Sequence, residues 1–178
     1  SKLDLISNKS IPTSLRVISG FRFAIKNSAA IVSDFTVFSA HLKASTGSSN
    51  ESRRWEEVKQ LQFYISQQDQ DFRYILAGDL NLYSPNEQAY KLLVDSMFID
   101  LEDPIGDWAR DDNSNVLKFT QSTRTDQIGD GGSTGGLDDR FDFILFSDHF
   151  TKTDPNLKFL ENSYTVFGND GNHFNRSV

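Results

Sequence analysis

Five polar residues stand where their types and spacing suit work on a phosphate ester. They are His41 in SAHLKAS, Asp79 and Asn81 in ILAGDLN, Asp142 in RFDFIL, and His173 in NDGNHFN. In Asp79-Leu80-Asn81 the strand period of two puts the carboxylate and the amide on one face. The apolar run Tyr74, Ile75, Leu76, Ala77 before them reads as a buried strand that ends at Gly78. A carboxylate accepts a proton from, or orients, an attacking water, and an amide donates to a phosphoryl oxygen. The competing reading is an ordinary turn, because Gly, Asp and Asn are turn formers.

Asp142 lies among Phe141, Phe143, Ile144 and Leu145. An acid there must be paired or directed at a polar cleft, since burying it alone costs several kcal/mol. Arg140 and Arg124 are candidate salt-bridge partners; the alternative is a carboxylate that fixes a histidine's tautomer and supports its positive charge. His173 follows an apolar stretch, in a polar segment with Asp170, Asn172 and Asn175, and His149 beside Asp148 reads as surface.

The elements that must position these groups follow from periodicity. LRVISGFRFAI reads as a strand interrupted at Gly20, and residues 27–30 as a turn. FTVFSAHL alternates, with Phe35, Val37, Ser39 and His41 on one face and Phe38, Ala40 and Leu42 on the other. From Glu51 to about Gln67 the spacing predicts a helix with Trp55, Val58, Leu61, Phe63 and Ile65 inward and Arg53-Arg54 on a solvated face. Strand, helix, strand suggests a crossover, although a helix over a mixed sheet is equally allowed. Ser84-Pro85-Asn86-Glu87 is a helix start with serine as N-cap and glutamate as capping-box partner, and Ala89, Leu92, Leu93 and Met97 form the buried stripe. Residues 100–116, anchored by Trp108, and the run GDGGSTGG at 129–136 read as loops; without the P-loop order and its lysine, that glycine run gives no support to phosphate cradling. RFDFILFS and SYTVFG read as further strands, and the first fourteen residues as a polar opening.

The chain has 178 residues, 37% of them hydrophobic, which fits one domain over 1–178 with a sizeable core. A net charge of -7 disfavours a domain that holds nucleic acid by general cation–phosphate attraction. With no cysteine there is neither a disulfide framework nor a zinc-thiolate site. No apolar run is long enough to span a membrane, and no signal peptide stands at Ser1.

In order and spacing, SAHLKAS, ILAGDLN, RFDFIL and the terminal GNH resemble the endonuclease/exonuclease/phosphatase superfamily, of the pancreatic-deoxyribonuclease-like kind. The resemblance implies an α/β two-layer β-sandwich flanked by helices, incomplete at its N-terminus. It implies a metal-dependent phosphoesterase, nuclease or phosphatase, with magnesium, or manganese or calcium in its place, and water attacking in line. By motif match, His41 would contact the scissile phosphate, Asp79 would orient or deprotonate the nucleophile, and Asn81 would bind the phosphate. Asp142 would hold His173, the general base or transition-state donor. Family members carry a metal-binding Glu in an earlier segment, and nothing in residues 1–30 matches it. Gly171-Asn172-His173 stands where Ser-Asp-His is usual, which leaves Asp170 as the substitute metal ligand. The partner implied is a phosphate-ester substrate, nucleic acid among the classes, and the motif forms are similar to those of secreted bacterial members. The rival from another class is a module that keeps the fold and has lost catalysis; a nucleic-acid-binding domain without activity is disfavoured by the charge.

Overall fold

The computed structural model describes residues 2–27, 30–110, 112–121, 124–131, 134–152 and 157–176. Its strands are β1 (Lys2–Ile11), β2 (Ile18–Asn27), β3 (Ala30–His41), β4 (Tyr74–Asp79), β5 (Leu101–Glu102) and β6 (Asp142–Ser147). Helices α1 (Ser48–Ile65), α2 (Gln88–Val94) and α3 (His149–Lys152) and a 3₁₀ turn at Asn113–Lys118 complete the elements. The six strands form one sheet in the order β1-β2-β3-β4-β6-β5. Only β3 and β4 pair in parallel, with α1 as their connection; the other pairs are antiparallel. A mixed sheet with helices is the α/β class that the sequence implied.

The period of two decides which face is the core. Phe38, Ala40 and Leu42 are buried with Leu76, Phe143 and Leu145 against Val58, Leu61 and Ile65 of α1 and Leu93 of α2. Their alternates Phe21, Val37, Ile144 and His41 lie on the opposite face, which is why His41 is exposed at the end of an otherwise apolar strand. Trp108 is buried as expected, meeting Tyr90 and Phe143 edge to face.

Several expectations change. The polar opening is β1, a ten-residue edge strand with a bulge between Leu5 and Ser7, formed because β2 offers it a ladder, not because its residues favour strand. Leu15 and Val17 fall in the turn before β2 and are exposed. Arg54 is fully buried while Phe63 is 68% exposed, because Arg54, Val58, Leu61 and Ile65 share one helical stripe and Phe63 lies off it. Residues 84–87 make a turn, and α2 begins at Gln88; the Glu87 carboxylate is drawn to buried Arg54 (Nε to Oε2, 2.8 Å) while its other oxygen accepts the Tyr83 N–H. Met97 is exposed, beyond the end of α2. SYTVFG is not a strand: residues 163–166 are coil, and Tyr164 is half-buried, its burial pushing the phenol pKa up. Of the sequence features read as turn or loop, residues 28–29 of the β2–β3 turn, 111 of the acidic loop, and 132–133 of the glycine run, like Ser1, lie outside the described residues.

Gly78 has a φ of +139°, and a Cβ there would stand 2.0 Å from the Ala40 carbonyl oxygen. Gly78→Ala is expected to cost about 3 kcal/mol or more through backbone strain and overlap. Phe63→Ser should stay within about 0.5 kcal/mol of the parent. Urea unfolding followed by circular dichroism measures both.

Candidate active site

Strand direction brings the predicted residues together. In the parallel pair β3/β4 the last residues are register partners, His41 with Asp79. In the antiparallel pair β4/β6 the last residue of one strand faces the first of the other, Asp79 with Asp142. His41, Asp79 and Asp142 therefore form a row across three neighbouring strands at one end of the sheet. Adjacent strands in a sheet lie about 4.8 Å apart, which puts such neighbours within reach of one another.

His41 Nε2 lies 3.6 Å from Asp79 Oδ2, an ion-pair distance rather than a good hydrogen bond, with both side chains partly exposed. Burial pushes the Asp79 carboxyl above the usual carboxylate range, and the Asp142 charge adds to the rise. The Asn81 N–H, at 3.1 Å from Oδ1, together with His41 and Arg16, pulls the other way. The upward effects prevail, so Asp79 is a stronger base than an ordinary surface aspartate. Asp142 is the first residue of β6 and exposed, not mid-strand. Neither expected arginine pairs with it: Arg140 is buried and forks onto Asp103 (2.8 and 2.9 Å), and Arg124 bonds Asp130 (2.7 Å).

Asn81 is turned inward by a left-handed φ of +49°, and its Nδ2 donates to the Leu42 carbonyl at 3.2 Å. Buried and so engaged, it ties the chain leaving β4 to the chain leaving β3, a different use of the amide from phosphate binding. His173 Nδ1 lies 3.0 Å from Asp170 Oδ1, so Asp170, three residues away, holds this imidazole in place of Asp142. The N–H of Asn172 holds the Asp170 carboxyl below the usual range, and His173 adds to the effect. A hollow of about 580 Å³ lined by Asp142 also reaches Gly168 and Asn169. Those two residues line the smaller hollow that holds Asp170 and His173, one step removed from the row. His149, read as surface, is half-buried, with Nε2 3.0 Å from the Gln70 carbonyl oxygen.

Some residues at this edge were not singled out from the sequence. Arg16 donates through one terminal nitrogen to the carbonyls of His41 (3.3 Å) and Leu42 (3.4 Å), placing a cation beside His41 and Asp79. Its turn is held by Thr13, whose hydroxyl accepts the Arg16 N–H and contacts Glu57 of α1. No local signal marks Arg16. Glu57 and Arg54 of α1 grip Lys43 from both sides (2.9 and 2.8 Å), and these could have been found from their helical spacing with the apolar stripe.

No family model matches the sequence, and no curated protein matches it. Solved structures do match this fold. The human Nocturnin catalytic domain, solved with a bound sulfate anion, superimposes with a TM-score of 0.54 at 22% identity, over 83% of this chain and 49% of that one. An endonuclease/exonuclease/phosphatase protein from Bacteroides vulgatus gives 0.51 at 15% identity, over 82% and 55%. A conserved protein of unknown function from Enterococcus faecalis V583 gives 0.53 at 15%, over 82% and 55%. The fold is that of the endonuclease/exonuclease/phosphatase proteins. The chain spans about half the length of the solved structures it matches.

Because the native carboxyl of Asp79 binds its proton more tightly than an unfolded one, the folded state holds the extra proton in the window between the two values, and stability falls as pH rises through it. Asn cannot carry that charge, yet its side-chain oxygen still accepts the Asn81 N–H. Asp79→Asn is therefore expected to raise Tm at pH 7, with the gain shrinking as pH falls into the carboxylate range. Thermal scans from pH 3 to 8 measure it.

Proposed function

We propose that this chain contributes the reacting groups of a phosphoesterase that hydrolyses phosphate esters with an activated water. The observation that carries the reading is the His41–Asp79–Asp142 row at one sheet end, with Arg16 beside it. In this reading Asp79 takes a proton from the water as its oxygen bonds to phosphorus. Its affinity for that proton is raised by its own burial and by the neighbouring Asp142 charge. His41 beside Asp79, together with Arg16, stabilises the charge that develops on the phosphoryl oxygens. The bond to the ester oxygen breaks, and the leaving alcohol gains a proton from an imidazolium or from solvent. His173, held by Asp170, is the second imidazole of the proposal, and Asn81 keeps the two loops in register.

A divalent cation enters as a condition to be varied. Among the described residues no group of three His, Cys, Asp or Glu side chains is arranged to hold a metal. Asp170, the ligand expected from the resemblance, has Oδ1 engaged by the Asn172 N–H (2.9 Å) and His173. These residues do not fit a cation site, and the steps above use the chain's own groups only. The same observation favours a second reading, a module that keeps the fold without turnover. The substrate is a phosphate ester, with nucleic acid among the classes proposed. Among the described residues no helix is long and apolar enough to cross a membrane.

Hydrolysis of bis(4-nitrophenyl) phosphate, with magnesium, manganese or calcium added in turn, decides between the readings. Turnover is expected, falling about a hundredfold or more in His41→Ala and in Asp79→Ala, as loss of a base or transition-state donor does. Parent-like rates in both variants would end the assignment, and no turnover under any condition selects the inactive module.

A further inference from the structure

We propose that Arg54 and Glu57 of α1 are positioning residues for His41, acting through the backbone N–H and carbonyl of Lys43 two residues downstream. The inference rests on the reading of His41 and Asp79 as reacting partners and concerns what holds them at working distance.

Both side chains are almost fully buried, at 0% and 1% exposure, on the stripe that α1 turns to the core. Opposite charges in such a place cost desolvation that apolar residues of like volume would avoid, so their presence calls for a task that only charged, forked groups perform. The contacts supply it. Glu57 Oε2 accepts the Lys43 N–H at 2.9 Å, and Arg54 donates through one terminal nitrogen to the carbonyls of Lys43 (2.8 Å) and Ser45 (3.0 Å). The backbone of one residue is thus gripped at its N–H by a carboxylate and at its carbonyl by a guanidinium.

The same guanidinium reaches the other loop. Arg54 Nε donates to Glu87 Oε2 at 2.8 Å, and Glu87 Oε1 accepts the N–H of Tyr83, four residues beyond Asp79. The Tyr83 hydroxyl returns the connection by accepting the Ser45 N–H at 3.2 Å. A single fork therefore sets the spacing between the chain that leaves β3 after His41 and the chain that leaves β4 after Asp79. Asn81 and the Leu42 N–H to Asp79 carbonyl bond (3.0 Å) run parallel to it. Charge-assisted bonds of this kind are short and directional, which suits a device that holds two side chains 3.6 Å apart.

The test reads the distance, independently of turnover. Asp79 is titrated by carbonyl ¹³C NMR in the parent chain, in His41→Ala, in the double variant Arg54→Met/Glu87→Gln, and in Arg54→Lys. The double variant removes one positive and one negative charge together, so its net field at Asp79 changes little. His41→Ala is expected to raise the Asp79 midpoint, because the cation that holds it down is gone. The double variant is expected to raise it in the same direction by at least about half as much. Arg54→Lys keeps the charge without the fork and should move it the same way by less; it carries the test if the double variant does not fold by circular dichroism. A parent-like midpoint in a folded double variant, or in Arg54→Lys alone if only that folds, overturns the proposal, as does His41→Ala without any shift. If the shifts appear as expected in a chain that hydrolyses no phosphate ester, the positioning role stands and the phosphoesterase reading falls.

Discussion

The parallel pairing of β3 with β4 is the constraint on which the candidate site depends. Parallel strands end at the same edge, so His41 and Asp79, 38 positions apart in number, become neighbours in register. An antiparallel pairing of the same two strands would send them to opposite ends. The pairing needs a crossover, and α1 supplies one by burying Val58, Leu61 and Ile65 over Phe38, Ala40 and Leu76. Gly78 belongs to the same constraint, since its backbone passes the Ala40 carbonyl too closely for any Cβ.

At that edge the balance of charge is delicate. The chain carries a net charge of -7, and two of the three residues in the row are acids. An anionic ester approaching them meets repulsion unless cations stand close by, and the local ones are Arg16 and, when protonated, His41. The partly buried Asp79 sits above the usual carboxylate range for lack of full solvation, which makes it a better proton acceptor and a less comfortable ion. Basicity and destabilisation here share one cause.

Much of this was legible in the residues. The strand alternation of FTVFSAHL put His41 on the face opposite Phe38 and Ala40, and YILAGD was readable as a buried strand ending in a polar turn. Other features resisted reading. A local pattern treats Arg53-Arg54 as a pair of solvated cations, whereas Arg54 is held inside by Glu87, 33 residues away. Asp170 bonds His173 through simple i,i+3 proximity, and Asp142 stands beside Asp79 through strand register; neither partner follows from residue type. The β1 strand has little strand character of its own and exists because an edge was open to it.

By itself the sequence determined the alternation that separates core from site face in β3 and β4, the apolar part of the α1 stripe (Val58, Leu61, Ile65), and the set of polar side chains near strand ends, because these depend on period and residue chemistry over a few positions. The tertiary structure decided which of those side chains meet across the fold: His41, Asp79 and Asp142 in a row, Arg16 beside them, and Arg54 and Glu57 on the Lys43 backbone. Strand direction, register and the pairing of buried charges are long-range choices, settled by which arrangement gives buried ions and peptide groups partners, and no short stretch of chain carries that information.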